Sequence, residues 1–410
     1  MKYKNFIAHA STGEEGNSFV GMKIKDNHVH FFYPESYQYE ENDFSREDFI
    51  SILKTISLAK SNAEAEDNAM NRHTNDGEFA LLSYMWIIED YLKNGMHVNL
   101  EKQNKINQPG KIVWKKTLEQ QPVISEGNVI YTQLVAETKT QQESIITEAH
   151  AYCVKKSLRF LGWMYGISET TIENSKYYES KEKEYLEAIR YELDRIFDDA
   201  KRIKLRHMEN VIIGLDEVSD DDTIVYGVES YHYVFERMID AIFGNEDVRD
   251  YYPSFKWHLT FAKNAEGLSG PTIRPDTVLR DNKKIYIIDS KYYRYGSTNL
   301  SDTKGLPEAA SIVKQITYGS YVSTVNKGVE VYNVFMLPCN YTRFETHLDD
   351  SNIPLIFAGY VSSDWEADKT YGKIYTFLID LKYVIKTWNR ISHESERNQL
   401  ISLLNSNTVL

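Results

Sequence analysis

Cysteine and long apolar segments are scarce in this 410-residue sequence. Its two cysteines, Cys153 and Cys339, lie far apart in sequence and away from any ligand-spaced histidine, which argues against a zinc site or a disulfide framework. No apolar run approaches the roughly 20 residues that span a bilayer, and the N-terminal segment has no apolar stretch of the kind found in secretory signals. We therefore expect a cytoplasmic protein without membrane contacts.

The sequence also lacks an excess of basic residues and a phosphate-binding loop. Its formal net charge of −13 counts against a protein that coats nucleic acid non-specifically, because phosphate binding depends on clustered Lys and Arg. A nuclease is still allowed, since a bound divalent cation supplies positive charge that the sequence count omits. No GxxxxGK[ST], CxxC or GxSxG motif is present. We therefore do not expect the chain to hydrolyse nucleotides by itself.

Hydrophobic residues make up 42% of the sequence, more than one compact core usually needs, which predicts two domains or one domain with a large extension. The first region, residues 1–140, is predicted to be mixed α+β from its alternating and helical apolar periodicities. Its predicted strands are Phe19–Ile24, His28–Tyr33, Lys111–Trp114 and Val129–Val135, and its predicted helices cover residues 46–60 and 77–94.

The rest of the chain is predicted to be helical first and then mixed α/β. Residues 141–222 form the helical middle, which ends in the acidic, turn-prone linker GLDEVSDDD. Residues 223–410 interleave strands and helices, which indicates a mixed sheet with flanking helices. Helices are predicted at residues 143–165, 183–208, 229–243 and 307–325, and strands at 274–280, 284–291, 329–337, 355–361 and 373–379.

The clearest chemical signal lies on two neighbouring predicted strands. Asp276 lies on the first strand, and Asp289 and Lys291 lie at the end of the second. A hairpin would bring the two aspartates together, and two hard oxygen ligands on adjacent strands suit Mg²⁺. Lys291 follows Asp289 by two residues and so points to the same face of its strand. The alternative is a strand end at which Asp289 and Lys291 only form a salt bridge.

The segments Pro275-Asp276 and Asp289-Ser290-Lys291 resemble the motif of the PD-(D/E)xK nuclease superfamily, with Asp in place of the more frequent Glu at the second acid. The resemblance implies a C-terminal restriction-endonuclease-like mixed sheet flanked by helices. It also implies that Asp276, Asp289 and the carbonyl group of Ser290 hold Mg²⁺. Lys291 would orient or deprotonate the attacking water and stabilise the transition state.

Two flanking helices carry further candidates by the same resemblance. Nucleases of this superfamily often place a glutamate from the preceding helix near the metal, and Glu236 is our candidate. It competes with Glu229, which is seven residues earlier on a similar helix face, and with the alternative of a solvated surface residue. Gln315 and Tyr318 resemble a glutamine-tyrosine element that abuts the active site and DNA, so we name them as supporting residues. Tyr318 could instead serve only in packing.

Basic residues surround the motif, with tyrosines between them. Arg274, Arg280 and Arg294 are therefore candidates for contacts with the phosphates of double-stranded DNA. Lys283 and Lys284 also belong to this group, but a solvated turn explains them equally well.

The wider chain resembles the LlaJI group of restriction endonucleases, which is related to the McrC nuclease subunit. The resemblance rests on His30-Phe31-Phe32-Tyr33-Pro34, on the segment GKIVWKKT at residues 110–117 and on the C-terminal motif. It implies that residues 1–140 contact a McrB-like GTPase partner or DNA, while residues 223–410 form the nuclease domain. The missing phosphate loop is consistent with that division.

Three functional hypotheses follow from the sequence. The first is a Mg²⁺-dependent DNA endonuclease of a phage-defence restriction system that acts beside a McrB-like GTPase. The second is a self-sufficient, sequence-specific endonuclease whose N-terminal half reads DNA directly. The third is a noncatalytic DNA-binding subunit with a nuclease-like fold, and the complete set of Asp276, Asp289 and Lys291 argues against it.

Overall fold

The computed structural model divides the chain into two compact units. One unit contains the described residues between 78 and 214, and the other contains those between 5 and 63 together with those from 224 onwards. The structure describes residues 5–11, 18–25, 28–37, 45–63, 78–142, 144–167, 177–214, 224–260, 268–296, 303–342, 344 and 353–408.

Strands and helices are numbered in chain order. The strands are β1 Asn5–Ser11, β2 Val20–Lys25, β3 His28–Pro34, β4 Asn99–Ile106, β5 Lys111–Ile112, β6 Val123–Ser125, β7 Asn128–Ile130, β8 Val135–Gln142, β9 Ile224–Val228, β10 Ser254–Trp257, β11 Leu268–Thr272, β12 Thr277–Asp281, β13 Lys284–Ser290, β14 Glu330–Cys339, β15 Leu355–Ser362 and β16 Lys373–Asp380. The helices are α1 Arg46–Ala63, α2 Glu78–Asn94, α3 Trp114–Leu118, α4 Ile145–Tyr165, α5 Glu182–Leu193, α6 Asp199–Ile213, α7 Tyr231–Phe243, α8 Ala309–Val325, α9 Leu381–Thr387 and α10 Glu394–Asn407. None of these helices is long and apolar enough to cross a bilayer.

A five-stranded mixed sheet forms the centre of the second unit, with the order β12-β13-β14-β16-β15. The three inner strands run parallel, whereas β12 and β15 pair antiparallel at the two edges. Strands β13, β14 and β16 are almost continuously buried, as expected for parallel strands covered on both faces. Helix α8 packs on β13, β14 and β16, and α7 contacts β12 and β13. The predicted mixed sheet with flanking helices is confirmed.

The N-terminal strands belong to the same unit as this sheet. Strands β2 and β3 form the predicted hairpin, and β1 and β9 extend it to a sheet of order β1-β3-β2-β9. Helix α1 contacts this sheet as well as α7 and α9. The contacts therefore group residues 5–63 with the C-terminal region, whereas the sequence-based division placed them with residues up to 140. The physical reason is that β9, at residues 224–228, pairs with β2, which is far away in sequence.

Asp48 connects the N-terminal helix to the C-terminal part of this unit. Its buried carboxylate accepts hydrogen bonds from the Tyr37 hydroxyl group at 2.7 Å, from Ser45 and from Lys382 Nζ at 3.0 Å, and it pairs with Lys386 at 3.4 Å. Burial on its own would raise the pKa of Asp48, but the hydrogen bonds outweigh burial and lower it to about 2. The ionised side chain therefore stabilises the fold.

Replacing Asp48 with alanine should lower the free energy of unfolding by about 3 kcal/mol, because it leaves buried donors and lysines without their acceptor. The contribution should be complete above the ordinary aspartate pKa of 3.8 and disappear as the pH falls through about 2. Urea unfolding at pH 7 measures the change. Glu47→Gln is the control on the exposed position beside it. Equal stability of the two variants would contradict this prediction.

The first unit combines helices with small sheets. Helix α2 packs against α4 and α6, and α5 packs against α6. Strands β4, β8 and β5 form one antiparallel sheet, and β6 and β7 form a separate hairpin whose turn contains Glu126 and Gly127 at positive φ.

Several predicted boundaries in this unit are wrong. The helix predicted from 183 to 208 is interrupted, because Leu193 ends α5 and α6 begins at Asp199, after a cap at Asp198 that accepts a hydrogen bond from the Lys201 amide. The strand predicted at Lys111–Trp114 is limited to its first two residues, since Trp114 begins α3. The strand predicted at Val129–Val135 is divided between β7 and β8. The predicted acidic linker lies almost wholly outside the described residues.

Candidate active site

The hairpin of β12 and β13 brings the two predicted acids together. Thr277 pairs with Ile288, so the next positions outward are Asp276 on one strand and Asp289 on the other. The amide of Ser290 donates a hydrogen bond to Asp276 Oδ2 at 2.7 Å, which fixes the Asp276 carboxylate against the end of β13. Asp289 is only 1% exposed although it is ionisable. A buried acid at a strand end needs a charged partner to be tolerated.

Two lysines provide that charge from different elements. Lys291 Nζ lies 2.5 Å from Asp289 Oδ2, and Lys314 Nζ, from α8, lies 3.8 Å from Asp289 Oδ1. Burial opposes the charge on Lys291, but the neighbouring Asp289 outweighs burial and raises the pKa of the Lys291 ammonium group. Lys291 is therefore a cation in this arrangement. The ion pair that the sequence analysis kept as an alternative is present, together with further acids that a simple salt bridge does not need.

Those further acids are Asp276 and Glu236. Burial and the charge of Asp289 raise the pKa of Asp276 to about 7. The hydrogen bond from Ser290 and the charges of the two lysines lower this pKa, but by less. Burial and the charges of Asp276 and Asp289 raise the pKa of Glu236 to about 8, again against the lysines. Glu236 on α7 therefore faces the same cluster. Mutual repulsion among three carboxylates is relieved either by protons or by a bound cation.

Helix α7 distinguishes the two glutamates that competed in the sequence. Glu229 lies before the helix and accepts a hydrogen bond from the Ser18 hydroxyl group at 3.2 Å. Glu236 lies on the helix within the electrostatic reach of Asp276 and Lys291. His232, one helical turn before Glu236, is also close enough to Lys291 for that charge to lower its pKa, after the larger effect of burial. The structure thus places Glu236, not Glu229, beside the predicted motif.

The two supporting residues on α8 anchor the backbone around the acids. Gln315 is fully buried and donates from Nε2 to the carbonyl oxygen of Ile287 at 2.7 Å, two residues before Asp289. The hydroxyl group of Tyr318 donates to the carbonyl oxygen of Arg274, two residues before Asp276. Each side chain therefore connects α8 to one of the strands that carry the acids. In this structure they act as positioning residues, and contact with DNA stays a prediction.

Replacing Tyr318 with phenylalanine should reduce kcat/KM for DNA cleavage by about tenfold, because small displacements of catalytic groups are costly and the Asp276 segment loses an anchor. The loss should fall on kcat more than on KM. Steady-state cleavage of a defined duplex measures both constants. Tyr321→Phe, on the same helix, is the matched control and should behave like the wild type. Equal kcat values for both variants would contradict the anchoring role.

The three predicted DNA-binding arginines have different surroundings. Arg294 forms a two-point ion pair with Glu35, with both nitrogen–oxygen distances at 2.8 Å. Arg280 is exposed near the turn end of β12, about 10 Å along the strand from Thr277 at 3.3 Å per residue. Arg274 is exposed and directly precedes the Pro-Asp segment. Contact of these arginines with DNA stays a prediction.

Sequence reasoning missed Lys314 and His232. Each is a single polar residue on a helix, and neither belongs to the motif that identified the strands. Helical spacing contained a usable signal, because His232 and Glu236 are four residues apart, as are Lys314 and Tyr318. That spacing becomes informative only after one member of each pair has been assigned to the site.

The donors fit a Mg²⁺ ion better than a zinc-type site. Within the described ranges, no three His, Cys, Asp or Glu side chains are grouped closely enough to form a metal site by themselves. Mg²⁺ usually binds through one or two carboxylates with water and substrate phosphate as the other ligands. Neither oxygen of the buried Asp289 side chain receives a hydrogen bond of regular geometry from the described residues. Asp289 is therefore suited to bind such an ion, while Asp276 and the carbonyl group of Ser290 stay predicted ligands.

The end of the mixed sheet thus combines two acids with a lysine, which are residue types that can bind a divalent cation and stabilise negative charge on a substrate. The family model for the LlaJI restriction endonuclease matches residues 19–363. The chain therefore belongs to the LlaJI restriction endonuclease family, which implies nuclease activity.

Two solved structures match the chain with low sequence identity and low TM-scores. One is the assembly of Thermococcus gammatolerans McrB AAA+ hexamers with bound McrC, at 12% identity and a TM-score of 0.40, covering 94% of this chain and 83% of that one. The other is the McrBC complex of the same organism, at 12% identity and a TM-score of 0.24, covering 54% of this chain and 64% of that one. No curated protein matched the chain.

Proposed function

We propose that this protein is a Mg²⁺-dependent DNA endonuclease of the PD-(D/E)xK type that acts in a restriction system. The observation that carries the proposal is the end of the β12–β13 hairpin, where Asp289 lies beside Asp276 and pairs with Lys291 and Lys314. Glu236 on α7 lies within electrostatic reach of these groups. Membership in a restriction endonuclease family supports the reaction class. The metal is supported by the two strand-end acids, Asp276 and Asp289, because Mg²⁺ usually binds through one or two carboxylates with water and substrate phosphate as the other ligands.

Each side chain has a distinct task in this proposal. Asp276 and Asp289 hold the metal with the carbonyl group of Ser290, and a bound Mg²⁺ would supply Lewis-acid activation of water and of the phosphate. Lys291, which is a cation here, orients the attacking water and stabilises negative charge that develops on the phosphate. Glu236 adds a further carboxylate from α7 beside the two strand acids. Gln315 and Tyr318 keep the two strands in register with α8.

We also propose a separate McrB-like GTPase as the partner that recognises or moves along DNA. The proposal rests on the relationship of the LlaJI group to McrC and on the absence of a GxxxxGK[ST] motif from this sequence. Residues 1–140 remain our candidate for the partner- or DNA-contacting region. Because residues 5–63 pack with the C-terminal unit, the section from 78 to 142 is the more separate part of that region.

The test is cleavage of plasmid and phage DNA by the purified protein with Mg²⁺, with and without the candidate GTPase and GTP. Cleavage that needs the partner would support the subunit assignment, whereas cleavage at defined sites by the chain alone would support a self-sufficient enzyme. Chelation by EDTA should abolish cleavage in both cases. DNA binding without cleavage under any of these conditions would overturn the enzymatic proposal.

A further inference from the structure

Lys314 is a second cation at the candidate active site, outside the motif. It lies on α8 directly before Gln315, whose hydrogen bond to Ile287 fixes this turn of the helix on β13. Its ammonium group lies 3.8 Å from Asp289 Oδ1 and 5.5 Å from the ring centre of Tyr318. The two oxygens of one buried carboxylate are therefore each approached by a lysine, and these lysines come from different elements.

The two lysines are held differently. Lys291 lies 2.5 Å from Asp289 and its side chain is 16% exposed, whereas Lys314 is 38% exposed and lies beyond hydrogen-bond distance of the same carboxylate. Attraction between charges at this distance needs no fixed geometry, and a half-exposed lysine on a flexible stem can swing away at low cost. Lys314 is thus the more easily released of the two cations.

A divalent cation bound to Asp289 would weaken the electrostatic attraction between Asp289 and Lys314. Asp289 Oδ1 faces Lys314 and is one of the two buried oxygens without a regular hydrogen bond. Like charges repel, so a cation held by this carboxylate would disfavour the lysine at its present position. The side chain would then point its ammonium group towards solvent, where a DNA backbone would approach.

We propose that Lys314 neutralises Asp289 in the metal-free protein and, once a divalent cation is bound there, contacts a phosphate group of DNA next to the scissile bond. This inference rests on the proposed function, because it assumes the same metal and the same substrate. It assigns to Lys314 two effects of opposite sign: the lysine opposes cation binding and favours DNA binding.

The first test measures cation binding without cleavage. Thermal unfolding of the wild type, Lys314→Gln and Lys314→Arg is followed across a titration with Mg²⁺ and, separately, Ca²⁺. Lys314→Gln should reach half of its stabilisation at a cation concentration about fivefold lower than the wild type, because a competing charge is gone. Lys314→Arg should resemble the wild type. Lys327→Gln, just beyond the end of α8 on an exposed position, is the control for loss of one positive charge.

The second test measures DNA binding in Ca²⁺ by fluorescence anisotropy of a labelled duplex at several salt concentrations. A phosphate contact by Lys314 should make the slope of log affinity against log salt shallower by about 0.9 in Lys314→Gln, and this slope should be unchanged in Lys327→Gln. In Mg²⁺, Lys314→Gln should raise KM for cleavage, and Lys314→Arg should restore it.

The outcomes separate this inference from the proposed function. If the wild type binds neither cation nor DNA, the proposed function fails and the inference fails with it. If the wild type binds both and Lys314→Gln matches it in cation midpoint and salt slope, only the inference is overturned. A change in cation midpoint without a change in salt slope would overturn the phosphate contact.

Discussion

Replacing Asp289 with asparagine should reduce DNA cleavage at least about a thousandfold while the fold is retained. Asp289 is the most buried acid of the cluster and the one that both lysines face. Asparagine has nearly the same shape, but it is a weak metal ligand and does not balance the charge of Lys291. The rate of plasmid nicking under saturating Mg²⁺ measures the effect.

The matched control for this variant lies in the same hairpin. Asp281 occupies the turn end of β12, where its carboxylate accepts a hydrogen bond from Asn282. Asp281→Asn should therefore cleave like the wild type. Lys291→Met should lose activity to a similar extent as Asp289→Asn, because it removes the cation that stabilises the transition state. Cleavage at the wild-type rate by both Asp289→Asn and Lys291→Met would exclude the proposed site.

The second prediction with a large expected effect concerns how the stability of the metal-free protein depends on pH. Burial and neighbouring acids raise the pKa of Asp276 from 3.8 to about 7, and they raise the pKa of Glu236 from 4.5 to about 8. An acid whose pKa is higher in the folded than in the unfolded state stabilises the fold fully when the pH is below its unfolded-state pKa. This contribution is lost as the pH rises through its folded-state pKa. The metal-free protein should therefore lose stability between about pH 4 and pH 8.

Asp276→Asn should remove much of this dependence, since the amide can still accept the hydrogen bond from Ser290 but carries no charge. In EDTA at pH 8 we expect the Tm of this variant to exceed that of the wild type by about 5 °C, and the difference should vanish near pH 4. Mg²⁺ at pH 8 should stabilise the wild type and affect the variant much less. Thermal unfolding monitored by circular dichroism measures each value.

Two outcomes of this experiment would contradict the proposed metal site. If the wild type and Asp276→Asn show the same pH dependence in EDTA, the acids do not repel each other as the geometry indicates. If Mg²⁺ stabilises both proteins equally, the cation binds elsewhere. Neither outcome depends on cleavage, so this experiment tests the metal site separately from the nuclease reaction.

The C-terminal sheet could be predicted in detail because its strands have strong local signals. Strand β13 is an apolar run that ends in charged residues, and its turn with β12 contains Asp281 and Asn282, which favour such turns. Fixed strand geometry then places Asp276 beside Asp289 and turns Lys291 to the same face. Local chemistry thus led to the pairing that forms the candidate site.

Local sequence patterns did not predict the break between α5 and α6 or the short length of the strand at Lys111. Leu193 and Asp199 delimit two helices whose apolar positions continue with nearly the same period, so only the cap at Asp198 marks the boundary. At Lys111, apolar residues suggested a longer strand, but pairing with β8 involves only two residues before α3 begins. Pairing partners decide the length of a strand, and they are distant in sequence.

Assignment of residues to the two units depended on tertiary structure in the same way. Strand β9 pairs with β2, although most residues of the first unit lie between these two strands in the sequence. Asp48 on α1 likewise pairs with Lys382 and Lys386 on α9. No periodicity in a single segment reports such contacts, because they depend on two segments at once. The grouping of residues 5–63 with the C-terminal sheet follows from them.

The sequence by itself determined the elements of the C-terminal sheet, the hairpin that carries the two aspartates and the position of Lys291 two residues after Asp289. It did so because strand alternation and turn chemistry act over a few residues. Only the tertiary structure decided that Glu236 rather than Glu229 faces the acids, that Arg294 is paired with Glu35 and that Lys314 lies beside Asp289. Those outcomes depend on how α7, α8 and the N-terminal segment pack against the sheet, and packing is a property of the whole unit.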